Sequence, residues 1–220
     1  MMTIPVLDHG HVRLVEHMGN DMSIVRNARV SYDAKPRDDG SDEKLIRYLW
    51  KNKHTSPFEC VQFTFDIKCP IFVARQWHRH RTWAFNEVSG RYTKLPTEYY
   101  VPELDQITTQ SKSNKQMRTD TQHPRAALLQ DVIERISDAA HDAYQVLLEE
   151  GCPRELARSI LPLGTYTHFF GTVDLRNLFH FLDLRLHEHA QYEIRVYAEA
   201  MLKLIAPIVP VAVAAFEENR

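Results

Sequence analysis

The chain of 220 residues has little glycine, seven in all, and each stands alone. Neither GxGxxG nor GxxxxGK[ST] occurs, so neither standard backbone cradle for phosphate is present, and a bound nucleotide must be held by side chains. HExxH and GxSxG are missing as well, which removes the zinc-peptidase signature and the nucleophile elbow of serine hydrolases. Cysteine is scarce. Cys60, Cys69 and Cys152 are odd in number and form no CxxC pair, which argues against a disulfide framework or structural zinc and predicts a reducing, cytoplasmic setting. No apolar run approaches the roughly 20 residues that cross a bilayer. The opening MMTIPVLDHGHVRL lacks a charged leader followed by an apolar stretch, so neither export nor membrane insertion is expected. A formal charge of −2, with 44% hydrophobic and 25% charged residues, fits an ordinary globular protein without bulk attraction to nucleic acid.

Against that neutral background one stretch stands out. Residues 75–91 read RQWHRHRTWAFNEVSGR, with four arginines, two histidines and a single acid. Arginine forks match phosphate bidentately, and several close together suggest more than one anionic group. A lone arginine of this kind is ordinarily a solvated surface charge. The set reads differently, because Trp77, Trp83 and Phe85 place it beside the core and Glu87 cannot neutralise four guanidinium groups.

Strands are expected at Val12–Met18, Val61–Ile67 (strict alternation in VQFTFDI) and Thr165–Val173. Helices are expected at Asp21–Val30, from an N-cap at Ser41 to Lys51, at Ile71–His80 with Pro70 opening it, at Pro124–Glu149, Pro153–Ile160, Asp174–Arg185 and His189–Ile205. The polar stretch Gln106–His123 reads as an exposed loop. Without a regular βαβ rhythm the fold class is α+β: a mostly antiparallel sheet packed with helices, one domain over 1–220 with an inserted polar loop at 106–123.

On the helix at 174–185, Leu175, Leu178, Phe179, Leu182 and Leu186 form the apolar arc, opposite Arg176, His180, Asp183 and His187. Arg185 falls at the edge of the apolar arc, where it must snorkel or find an anion; the wheel alone leaves both open. The pairs His78/His80 and His187/His189 lie in helix-like sequence, where residues two apart diverge by about 200°, so no metal site is expected. Cys69, lacking an evident activating partner, reads as a buried small hydrophobe rather than a nucleophile.

Arg79-His80-Arg81, then seven residues, then Ser89 matches the RHRx7S signature of the flavin-dependent thymidylate synthases. ARVSY at 28–32, HTSPFE at 54–59, FVARQW at 72–77, NEVSGRY at 86–92, ARSILP at 157–162 and FLDLR…HAQYE at 181–193 resemble that family's blocks in the family's order. The resemblance implies reductive methylation of dUMP to dTMP, with 5,10-methylenetetrahydrofolate as carbon donor and NADPH-reduced FAD as hydride source. It implies sites shared within a homotetramer. It also accounts for the absence of an activated cysteine, since the flavin takes over what a cysteine adding to uracil C6 would otherwise do.

By the same resemblance Ser31, Ser56, Arg79, His80, Arg81, Asn86, Glu87, Asp174, Arg176 and His180 contact FAD. Gln76, Trp77, His78, Arg79, Glu87, Val88, Ser89, Gly90, Arg91, Arg158 and Arg185 hold dUMP. Arg185 matches the residue that stabilises the uracil anion at N3, and His54 a position near the flavin ring on the folate side. Ser89 reads as a ligand donor, not a nucleophile. Three positions depart from the family pattern: Ala84 stands where a serine is common, and Asp174 and His180 where asparagines are usual. A metal-dependent nucleotide hydrolase and a nucleic-acid-binding module are the rival classes, told apart by metal analysis and by salt-dependent polynucleotide binding.

Overall fold

The computed structural model describes residues 2–31, 35 and 40–220; Tyr32 of the ARVSY block lies outside them. Five strands form one antiparallel sheet: β1 (Thr3–Val6), β2 (Gly10–Met18), β3 (Gln62–Pro70), β7 (Tyr166–Asp174) and β4 (Ala84–Glu87), in the order β1-β2-β3-β7-β4. Strand β3 shows the period of two that its sequence predicts. Phe63, Phe65, Ile67 and Cys69 are wholly buried on one face, while Gln62, Thr64, Asp66 and Lys68 point the other way.

The apolar face is covered by helices α1 (Asp21–Val30), α2 (Ser41–Lys51), α3 (Ile71–Trp77), α6 (Leu175–Arg185), α7 (Tyr192–Ile205) and α8 (Pro210–Glu218). The long α4 (Ala126–Glu149) is followed by the single turn α5 (Arg154–Ala157) and a 3-10 turn over Arg158–Ile160. No helix among the described residues is long and apolar enough to cross a membrane.

Helix α1 begins at a capping box in which the Asn20 side chain and Ser23 satisfy each other's backbone donors. Helix α2 is capped differently from expectation. Gly40, at φ 72°, is the N-cap, a left-handed conformation that glycine adopts without penalty. The Ser41 hydroxyl instead accepts from Arg29, which also pairs with the buried Asp42. Helix α3 stops at Trp77 rather than His80, because the chain must reverse there to lay β4 against β7, so Arg79 and His80 sit in a turn. Pro70 is accordingly the last residue of β3 and the cap of α3, not a helical residue.

Strands β1 and β4, helix α8 and a ribbon within residues 106–123 were unmarked in the sequence. Strand β1 holds Pro5, which an edge strand tolerates because no neighbour needs its missing N–H. Helix α8 buries Ala212, Val213, Ala215 and Phe216, an apolar run whose periodicity is lost because most of it is covered. Residues 106–123, expected as a loop, carry a two-stranded ribbon of β5 (Thr108–Gln110) and β6 (Arg118–Gln122), whose threonines and glutamines show no apolar alternation.

Aromatic rings fill the space between sheet and helices. Trp77 is fully buried, stacked on Phe181 at 4.9 Å and edge-on to Phe169 at 5.6 Å. Phe179 stacks on Phe216 at 4.7 Å and meets Trp50 edge-on at 5.0 Å. Gly10 is required by close approach: a Cβ there would lie 2.0 Å from the Tyr197 hydroxyl, which donates to the Lys68 carbonyl at 2.7 Å. Truncating Phe179 to alanine leaves a cavity among four packed elements. The expected loss is roughly 3–5 kcal/mol of folding free energy, read as a lower urea midpoint; a midpoint equal to the wild type's would contradict this packing.

Candidate active site

Strands β3 and β7 are antiparallel neighbours, with Gln62 opposite Asp174 and Pro70 opposite Tyr166. Helix α3 leaves β3 at one end of this pair and α6 leaves β7 at the other, so both fold back over the same face from opposite directions. Two strands of nine residues span roughly 30 Å, and helices of seven and eleven residues roughly 10 and 16 Å. The helical C-termini therefore meet near the middle of the sheet.

At that meeting point lies Arg185, the last residue of α6 and half-buried. Its Nε donates to His80 Nε2 at 3.1 Å and its NH2 to the Gln76 main-chain carbonyl at 3.3 Å. Both acceptors are neutral. Carbonyls at helix C-termini favour a cation, which accounts for an arginine that makes no ion pair among the described residues. Burial lowers the guanidinium's own tendency to hold its proton, a sign of its removal from water.

His80 is buried, and burial first, then the Arg185 guanidinium and His180, push its imidazole down to about 4. It is neutral near pH 7, and only a neutral ring can accept the Arg185 N–H. His180 lies beside it, ring centroids 6.0 Å apart.

Other expected residues gather elsewhere. Gly90, Arg91 and Arg158 form a second group. A Cβ on Gly90 would meet the Arg158 Cδ at 3.0 Å, so glycine permits that approach. Arg91 pairs with Glu155 at 3.2 Å, and the two arginines line a depression of about 510 Å³ with Glu155 and Leu156. Ser89 Oγ accepts from the Arg91 N–H at 3.3 Å, and the Val88 N–H bonds the His168 carbonyl. Glu87 accepts from Thr167 at 2.5 Å and stands 4.0 Å from His78. Among the described residues no contact joins this group to Arg185.

A third group lines a cleft of about 660 Å³: Arg176, His180, Lys53, Thr55, Thr82 and Asn177, with Trp50, Phe179 and Phe216 on its apolar side. Arg176 pairs with Glu59 on its rim. Asp174 does not reach into it, since both its oxygens are used by Asn177, in capping α6. Ser56, exposed, opens the short turn after the exposed His54, whose ring meets Tyr48 edge-on. Ser31 ends α1, exposed. Arg79, Arg81 and Asn86 are exposed around the α3–β4 reversal. Trp77 alone among the expected ligand residues faces wholly inward.

Sequence reading missed Lys53 and Thr82, which no motif flags, and Thr55, although it stands in the HTSPFE block. It also passed over Gln191 and Glu193, although both stand in the HAQYE block. Gln76 Nε2 donates to Gln191 Oε1 at 2.6 Å.

Cys69 is buried, and burial holds its thiol well above the usual range, so it stays protonated and is no nucleophile. Among the described residues the one histidine–carboxylate group within metal-ligand reach is His11, Asp66 and His168, on three neighbouring strands. Burial pushes the Asp66 carboxyl up, but hydrogen bonds from Arg13, His168 and His11 outweigh it and hold the group below the usual range. Arg13 already matches the Asp66 charge, so a divalent cation would add uncompensated positive charge.

Residues 13–211 match the family model described as thymidylate synthase complementing protein. A flavin-dependent thymidylate synthase of Thermus thermophilus is 50% identical over 218 residues, covering 99% of this chain and 79% of that protein. One from Treponema denticola is 50% identical over 217 residues, covering 97% and 81%. Among solved structures, the UMP/dUMP methylase PolB from Streptomyces cacaoi, bound with 5-Br dUMP, superposes with a TM-score of 0.89 at 35% identity, over 98% of this chain and 97% of that one.

The His80 environment makes an acid-side prediction. Its folded value lies below the ordinary 6.5, so its contribution to folding is complete above about pH 6.5 and is lost as pH falls toward 4. An NMR titration of the His80 ring is expected to show a midpoint of about 4, moving upward in Arg185→Ala. A wild-type midpoint at or above the ordinary imidazole value would contradict the neutral-acceptor arrangement.

Proposed function

The chain belongs to the flavin-dependent thymidylate synthase family, and from that premise we propose how its residues carry out the reaction. The protein makes dTMP by reductive methylation of dUMP at C5. Bound FAD, reduced by NADPH, supplies the hydride chemistry that no side chain here offers, and 5,10-methylenetetrahydrofolate supplies the carbon.

The observation that carries the reading is Arg185: a half-buried guanidinium at two helix ends, bonded among the described residues only to neutral acceptors. Its charge remains available to negative charge developing on the pyrimidine near N3, where a fixed donor in a partly dry site is most effective. Neutral His80 keeps the fork oriented without adding a second positive charge. Gln76 lies on the same edge and touches the nucleotide. Trp77 acts from the core, fixing Gln76 and His78 on either side of it.

The fit to a flavin rests on the chemistry of the 660 Å³ cleft, where three cations (Lys53, Arg176 and Arg220) outnumber one carboxylate (Asp183) and stand with hydroxyls, amides and an imidazole beside an aromatic wall. Arg176 and His180 hold the cofactor there, with His54 toward the folate; Ser31, Ser56, Arg79, Arg81, Asn86 and Glu87, which do not line that cleft, reach the cofactor from a neighbouring subunit. Asp174 contributes by setting the start of α6, so its departure from asparagine costs no direct contact.

Gly90, Arg91, Ser89, Val88 and Arg158 suit the dUMP phosphate, yet within one chain they stand apart from Arg185. We place the two halves of each site on different subunits of a homotetramer. We place the enzyme in the cytoplasm, with no nucleic-acid or membrane partner, on its charge and cysteine content.

Purified protein is expected to show flavin absorption bands, or to take up FAD on reconstitution, and to change that spectrum on dUMP addition. Neither occurring would overturn the reading. Arg185→Ala is expected to lose methyl transfer by about 100-fold or more while retaining FAD; equal loss of FAD would make the arginine a cofactor ligand instead.

A further inference from the structure

The hairpin β5–β6 reaches the site through a chain of hydrogen bonds with only one possible polarity. Glu193, at the start of α7, is 3% exposed and accepts from Arg118 of β6 at 2.9 Å and from the Tyr100 hydroxyl at 3.3 Å. Its other oxygen accepts from Gln191 Nε2 at 2.8 Å. A carboxylate only accepts, so Gln191 must turn its NH2 toward Glu193 and its carbonyl toward Gln76. Gln76 must then give its own NH2 to Gln191, at 2.6 Å, which leaves Gln76 Oε1 with no partner among the described residues. The two amide orientations follow from the acidity of Glu193 and do not depend on how an amide is drawn.

We infer that Arg118 and Glu193 are positioning residues that lock Gln76 as a hydrogen-bond acceptor facing the nucleotide, where it reads the ribose 3′-hydroxyl. This rests on the dUMP reading above. With its phosphate ionised, dUMP has two donors, the N3–H and the 3′-hydroxyl. Arg185 serves the N3 edge as that edge becomes anionic, and an acceptor placed there would oppose it. Elimination leaves the 3′-hydroxyl. Arg118 matters because it brings the matching charge to a carboxylate that is otherwise held only by neutral donors. Its guanidinium also lies over the Tyr192 ring, 5.5 Å from the centroid, which fixes its direction. The hairpin thereby acquires a role at a site it does not itself line.

Glu193→Gln removes the polarity, because an amide at 193 can donate to Gln191 and let both glutamines turn over. Calorimetric titration of the FAD-loaded enzyme with dUMP and with its 3′-deoxy analogue, at pH 8, tests this. The wild type is expected to prefer dUMP by about tenfold or more. Glu193→Gln and Arg118→Ala are expected to lose most of that preference by weakening dUMP alone, with Arg118→Lys restoring it and kcat at saturating dUMP little changed. If both variants keep the wild-type preference, or weaken the two ligands equally, the relay is overturned. Should Glu193→Gln not fold, the Arg118→Ala and Arg118→Lys pair decides alone. A wild type that binds neither ligand sinks the underlying dUMP reading, a result distinct from an intact wild type with an unaltered variant ratio.

Discussion

An arginine that meets no anion among the described residues organises this molecule. Arg185 is placed where two helices end, and both its protein partners, the His80 ring and the Gln76 carbonyl, are neutral. Keeping it there requires that His80 stay unprotonated, which its burial beside Arg185 and His180 ensures. It also requires that α3 end on time, and the stack of Trp77 on Phe181 pins that end against α6. The core and the candidate site are thus one construction: the same α3–α6 contact that buries aromatic surface presents the guanidinium.

The other anion-binding features serve the same arrangement at greater distance. Gly90 lets Arg158 close on the 89–91 turn, and the 660 Å³ cleft sets Arg176 and His180 against an aromatic wall. Among the described residues no contact joins Arg91 or Arg158 to Arg185, which gives self-association a chemical purpose in the proposed mechanism: each subunit holds part of what a phosphorylated pyrimidine and a dinucleotide need. The Glu193 relay adds a second level of order, in which a buried carboxylate sets the orientation of amides it does not share with the ligand.

Much of this could be read from residue patterns, and the limits have physical causes. The alternation of VQFTFDI and the capped, amphipathic 174–185 segment are local signals, and both elements form where expected. The odd place of Arg185 on its wheel was visible as well. Its partner His80 was not, because the contact joins two segments over a hundred residues apart. Nearness in sequence says less at Arg79–Arg91, where β4 stands between Arg79 and Arg81 in the turn and Arg91 beyond the strand. The hairpin gave no warning at all, since a polar ribbon lacks the apolar alternation that marks a strand.

The central claim is that Arg185 spends its charge on the pyrimidine. It is tested most directly by a 15N NMR pH titration of N3 in bound, labelled dUMP. The account predicts that N3 ionises roughly one to three pH units lower than in free dUMP. An N3 value in the complex equal to or above that of the free nucleotide would contradict it.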